Sequence, residues 1–118
     1  MALLSSACGS DDDSLTGTWT GGARDSLGGN GGANFSLSQS GSSLGGTWEL
    51  TFPTGSPANN GGTVAATVQG GSISGTLTSA SGCHFSFSAT RNGEHLAGSY
   101  AALDCSSSQK GTLDTDRR

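Results

Sequence analysis

Phe35-Ser-Leu-Ser-Gln-Ser-Gly-Ser-Ser-Leu-Gly-Gly-Thr-Trp48 reads as two short alternating apolar and polar runs with a glycine between them. Two further segments align with it without gaps. They are Val64-Ala-Ala-Thr-Val-Gln-Gly-Gly-Ser-Ile-Ser-Gly-Thr-Leu77 and Phe87-Ser-Ala-Thr-Arg-Asn-Gly-Glu-His-Leu-Ala-Gly-Ser-Tyr100, with starts spaced 29 and then 23 residues apart. Period-two alternation broken by a glycine is the pattern of a β-hairpin, because successive side chains on a strand point to opposite faces. Three repeats therefore predict three hairpins. The turn pairs are Ser40-Gly41, Gln69-Gly70 and Asn92-Gly93, and Asn-Gly suits a type I′ turn, in which both central residues take positive φ. With those pairs as two-residue loops, Phe35 faces Gly46, Val64 faces Gly75 and Phe87 faces Gly98.

Half-units flank the hairpins. Leu15-Thr-Gly-Thr-Trp19 matches the second strand of the repeat, and Gln109-Lys-Gly-Thr-Leu113 matches it more loosely. The count is eight strands, near 15–20, 34–39, 42–52, 63–68, 71–78, 83–91, 94–102 and 109–115. Loops are expected at 21–33, 53–62, 79–82 and 103–108, the first containing the flexible-looking Gly28-Gly-Asn-Gly-Gly32. No stretch has a 3.6-residue period with caps, so almost no helix is expected. The fold class is all-β. Tight turns between sequential strands favour an eight-stranded antiparallel up-and-down meander barrel, whose closure removes the sheet edges. The alternative is a two-sheet β-sandwich. The inward set takes the apolar positions of the repeats, Ala66 and Val68 among them, with Leu15, Trp19, Leu50, Phe85 and Leu113 from outside them. The outward face is mostly Ser and Thr.

Composition sets the limits. The chain has 118 residues, enough for one domain. Leu, Ile, Val and Phe together make up only 18 residues, whereas Gly, Ser and Thr make up 55. So small an apolar set is also found in disordered chains, but those usually carry high net charge. Here the net charge is −4 and charged residues are 12%. No basic excess points to nucleic acid, and no run of 18 apolar residues points to a spanning helix.

The first residues, Met1-Ala-Leu-Leu-Ser-Ser-Ala-Cys8, resemble the tail of a bacterial lipoprotein signal, in which small residues precede a cysteine that takes lipid. The resemblance makes Cys8 the lipidation site, residues 1–14 a truncated signal remnant with an acidic tether, and residues 15–118 the barrel domain. Asp11-Asp12-Asp13 lacks the alternating acids, central glycine and distant Glu of a calcium loop, and reads as solvated tether. Gly9 after the cysteine resembles Gram-negative lipoproteins sent to the outer membrane, so the expected location is exported, on its periplasmic or cell-surface face. With Cys8 lipidated, Cys83 and Cys105 remain, and an oxidising compartment would pair them.

Gly17-Thr18-Trp19 resembles the Gly-x-Trp start of calycins, the lipocalin and avidin group of barrels. In that group a basic residue after the last strand packs over the Trp, which implies Arg117, or Arg118, over Trp19. As a whole the chain resembles small bacterial lipoproteins of unassigned function with a calycin-like barrel. The late Trp residues of an avidin-type ligand site are missing, since Trp19 and Trp48 are the only two. Neither a nucleophile elbow nor a paired-carboxylate arrangement appears, so no catalytic residue, metal ligand or cofactor is expected. His84 and His95 are expected at the surface. Two functions remain: a lipid-anchored structural or interaction module at the envelope, and a carrier. The carrier would hold a small apolar ligand among Trp19, Phe35, Trp48, Phe85, Phe87 and Tyr100. Expected partners are the membrane through the lipid, and an envelope protein or that ligand.

Overall fold

Alternation of this kind pays off only if the apolar faces of all the strands meet, and a closed ring does that without leaving an edge. The computed structural model describes residues 14–53, 60–105 and 109–118. Its strands are β1 (Gly17–Asp25), β2 (Gly29–Ser40), β3 (Ser43–Thr51), β4 (Gly61–Gln69), β5 (Ser72–Ser79), β6 (His84–Asn92), β7 (His95–Ala102) and β8 (Lys110–Arg117). Each pairs antiparallel with the next, and β8 pairs with β1 from Trp19↔Arg117 to Asp25↔Gly111. The fold is a closed meander barrel rather than a sandwich. No helix occurs among the described residues. Cys8 and the tether through Asp13 lie outside them.

The hairpin register differs from expectation by two residues. Ser40 pairs with Ser43, Gln69 with Ser72 and Asn92 with His95, so the loops are Gly41-Ser42, Gly70-Gly71 and Gly93-Glu94. Only the first residue of each has positive φ, 62°, 60° and 65°. That is the type II′ pattern, with glycine at the first central position. A type I′ turn on the expected pairs would force Ser40, Gln69 and Asn92 to positive φ, at about 1–2 kcal/mol each for a residue with a Cβ. A shift of two keeps every side chain on its face. It places Phe35 opposite Trp48, Val64 opposite Leu77 and Phe87 opposite Tyr100, while Gly46, Gly75 and Gly98 face Leu37, Ala66 and Ala89.

The expected loop at 21–33 is instead mostly strand. β1 runs to Asp25, β2 begins at Gly29, and only Ser26, Leu27 and Gly28 turn between them. Glycines usually weaken strands, but at Gly21 and Gly31 the neighbouring backbone leaves no room for anything larger. A Cβ on Gly21 would lie 2.0 Å from the Asp114 carbonyl oxygen, and one on Gly31 would lie 2.2 Å from that of Thr51. The Asp25 carboxylate fixes the turn by accepting the amides of Leu27 (2.8 Å) and Gly28 (2.9 Å).

The inward face forms one apolar core from Leu15 to Leu113, with Ala66 and Val68 only half-buried near one rim. Phe52, Ala23, Ala33 and Ala89 join it. Outside, hydroxyls line up in register. One row runs Ser43, Thr67, Ser74, Ser88, Ser99, Thr112 across β3 to β8. Apolar inside and polar outside is the reverse of a membrane-spanning barrel, which needs an apolar outer band. The barrel has two unlike ends. The three two-residue turns, the start of β1 and the end of β8 share the mouth, and the longer connections share the base.

Candidate functional site

The six aromatic residues expected to line a ligand cavity all lie in the core. Trp19 and Phe35 have no accessible surface, and Phe85, Phe87, Trp48 and Tyr100 have at most 4%. They touch across the bore. Phe35 on β2 and Phe87 on β6 come from opposite walls of the ring, and their rings stack with centroids 5.8 Å apart. Phe85 meets Trp48 and Tyr100 edge-on at 6.0 Å each. Side chains bordering a void would expose surface to it. These residues, with Ile73, Leu77 and Leu96 at 1%, do not. The middle of the barrel is therefore filled by wall-to-wall aromatic contact, each pair contributing about 0.5–1.5 kcal/mol beyond its burial.

At the mouth, the Arg117 guanidinium lies 4.8 Å from the centroid of the Trp19 ring. It donates to the carbonyls of Ser14 (2.6 Å) and Thr16 (3.1 Å), and to Glu94 Oε2 through Nε (3.0 Å) and Nη2 (2.7 Å). The hydrogen bond from Arg117 holds the Glu94 carboxyl below its ordinary range. Trp19 Nε1 donates to the Leu15 carbonyl at 2.9 Å. One residue thus ties the last strand to the point where the chain enters the barrel. A cleft of about 620 Å³ lies beside it, between the three glycine turns, with Gln39, Val68 and Arg91 on its walls. Arg91 Nε donates to the Gly93 carbonyl and its guanidinium faces Glu94 at 3.7 Å.

The base holds a network that sequence reasoning misses. Asp25, Tyr100 and Gln109 are 4%, 4% and 1% exposed. The Tyr100 hydroxyl donates to Asp25 Oδ2, Gln109 Nε2 donates to the same oxygen at 3.1 Å, and Oδ1 takes the two turn amides. Burial alone would push the Asp25 carboxyl up, but the hydrogen bonds from Tyr100, Gln109, Gly28 and Leu27 outweigh it and hold the group below its ordinary range. Burial, and then the Asp25 carboxylate, push the Tyr100 phenol well up. The signal was available: Asp25 continues the inward parity of Trp19, Gly21 and Ala23, once β1 is long enough to reach it.

Cys83 and Cys105 form a disulfide with a Cα separation of 5.7 Å. Cys83 lies just before β6, whose Phe85 pairs with Ala102. The Cys83, Asp104 and Cys105 ligand atoms lie close enough together for a metal, but both sulfurs are bonded to each other. His84 donates its amide to Asp104 Oδ1 and pairs its ring with Oδ2, and the Asp104 carboxyl is held low by those bonds. His95 sits between Asp114 and Asp116 on β8. The hydrogen bond to Asp116, with the charge of both aspartates, raises its pKa.

The residues define an eight-stranded antiparallel meander barrel, consistent in architecture with the calycin-like group. No family model matches the chain, and no curated protein sequence does.

Proposed function

We propose that this chain is a lipid-anchored envelope protein whose solid barrel serves as a structural or interaction module, without catalysis. The observation that carries the reading is the contact of Phe35 with Phe87 from opposite walls. It opposes the carrier reading, because a ligand inside would have to separate them. Three features support the anchor: the signal-like residues before Cys8, the pairing of the other two cysteines with each other, and an outer face too polar to enter lipid. From Cys8 to Ser14 the chain can reach about 20 Å. Such a tether joins the barrel at the mouth, the end opposite exposed Leu27 and Leu103.

The test is fractionation of cells expressing the protein and its Cys8→Ser variant. The variant should leave the membrane fraction and appear, folded, in the soluble envelope fraction. Persistence of Cys8→Ser in the membranes would overturn the anchor.

A further inference from the structure

The outer face of β7, β8 and β1 near the base carries a shallow cleft of about 490 Å³. That volume is within the usual range for small-molecule sites, about 300–1,000 Å³. Its floor is Ala101, Gly111 and the hydroxyl-bearing Ser99 and Thr112. Arg24 and Lys110 stand on it. The register sets their spacing. Arg24 pairs with Thr112, and Lys110 lies two residues before Thr112 on the same face. The two are diagonal cross-strand neighbours, about 7–8 Å apart at Cα.

The charges of these two residues are unanswered. Among the described residues, neither side chain makes an ion pair or a hydrogen bond, whereas Arg91 and Arg117 both engage Glu94. The nearest acid along β8 is Asp114, and it is engaged by His95, while Asp25, which also lines the cleft, is buried with its oxygens taken up by Tyr100, Gln109 and the turn amides. On a chain of net charge −4, two adjacent unpaired cations over a mostly apolar floor form a local exception.

We infer that this cleft binds a small amphipathic organic anion, its acid group held between Arg24 and Lys110 and its apolar body laid on Ala101 and Gly111. The site lies outside the barrel and does not depend on a hollow interior. Tyr100 and Asp25 back it from within, so the floor is fixed by the buried network at the base.

The test is an amide-resolved NMR titration of the oxidised full chain with naphthalene-2-sulfonate, inorganic sulfate and 2-naphthol at neutral pH. For a fourteen-atom probe at ordinary ligand efficiency, the expected Kd is about 1 mM. The sulfonate should shift the amides of Ser99, Ala101, Lys110 and Thr112 saturably. Sulfate and 2-naphthol should bind about thirtyfold more weakly, since each offers half of the recognition and so about half of the binding free energy. Arg24→Gln and Lys110→Gln should each weaken the sulfonate about fivefold, the scale of an exposed charge pair, with the urea midpoint unchanged. The inference is overturned by any of three results: no saturable shift at these amides, equal binding of 2-naphthol, or unchanged affinity in both variants.

Discussion

Replacing Asp25 by Ala tests what holds the base of the barrel together. The carboxylate accepts four hydrogen bonds, from Tyr100, Gln109 and the amides of Leu27 and Gly28. Leu27 is 53% exposed, so its amide can turn to water. Tyr100 and Gln109 have almost no exposure and lose their acceptor where water does not replace it. A buried donor left without a partner costs about 1–3 kcal/mol. Two of them, with the weakened turn, come to about 4 kcal/mol, a large share of the roughly 5–15 kcal/mol of a whole domain. In a barrel of this size that lowers Tm by roughly 20 °C. Urea denaturation followed by tryptophan fluorescence, with the disulfide intact, measures it. Asp25→Asn should cost about half as much, because one oxygen still caps the turn while the amide group meets donors on the other side. The pH dependence has a definite sign. The Asp25 pKa is lowered in the fold, so its contribution is present above the unfolded carboxyl range, near pH 4, and fades as pH falls through the folded value. The gap between the native protein and Asp25→Asn should narrow from pH 7 to pH 3. A loss below about 1 kcal/mol for Asp25→Ala, or additive effects of Asp25→Asn and Tyr100→Phe in a double-mutant cycle, would refute the network.

Phe87→Ala should cost about 3–5 kcal/mol in a urea titration, since it removes the ring that spans the bore to Phe35; a cost under 1 kcal/mol would mean the interior is slack. Cys83→Ser and Cys105→Ser should each cost about 3 kcal/mol, equally within error, by thermal melting, because they break one shared bond. Gly21→Ala should fail to give a native amide NMR spectrum, its Cβ falling 2.0 Å from the Asp114 oxygen, whereas Gly41→Ala meets nothing within 4 Å and should cost only the φ penalty of about 1 kcal/mol. The Tyr100 pKa is raised, so its contribution holds below the unfolded phenol value near 10 and is lost as pH climbs beyond it; a circular-dichroism pH titration should show Tyr100→Phe less sensitive to alkali than the native protein.

Strand number, faces and closure are legible in the sequence because alternation is strict where Phe35, Leu37, Leu44 and Trp48 repeat as Val64, Ala66, Ile73 and Leu77. The pairing register is not, because a two-residue shift keeps the same faces inward. Only turn energetics separate the two registers, and they favour positive φ at Gly41, Gly70 and Gly93 alone. The first hairpin is obscured for a different reason. Gly21, Gly22, Gly29, Gly31 and Gly32 carry no alternation to read, and the strands they belong to are held by pairing with β8 and β3, remote in sequence, with Gly21 pressed against Asp114 and Gly31 against Thr51. Asp25 is hidden with them. A lone acid beside a glycine-rich stretch looks solvated until its partners Tyr100 and Gln109, 75 and 84 residues away, close over it. The cleft holding Arg24 and Lys110 is equally non-local, since only the closing β1–β8 pair brings them together.

Native mass spectrometry of the protein released gently from its own envelope tests the solid barrel and the proposed lipid tether at once. The expected mass is the polypeptide from Cys8 onward, less two hydrogens for the disulfide, plus the acyl anchor, with nothing held inside the barrel. A chain without the lipid would contradict it, and so would a further few hundred daltons that leave on denaturation and are still carried when Arg24 and Lys110 are both replaced by Gln.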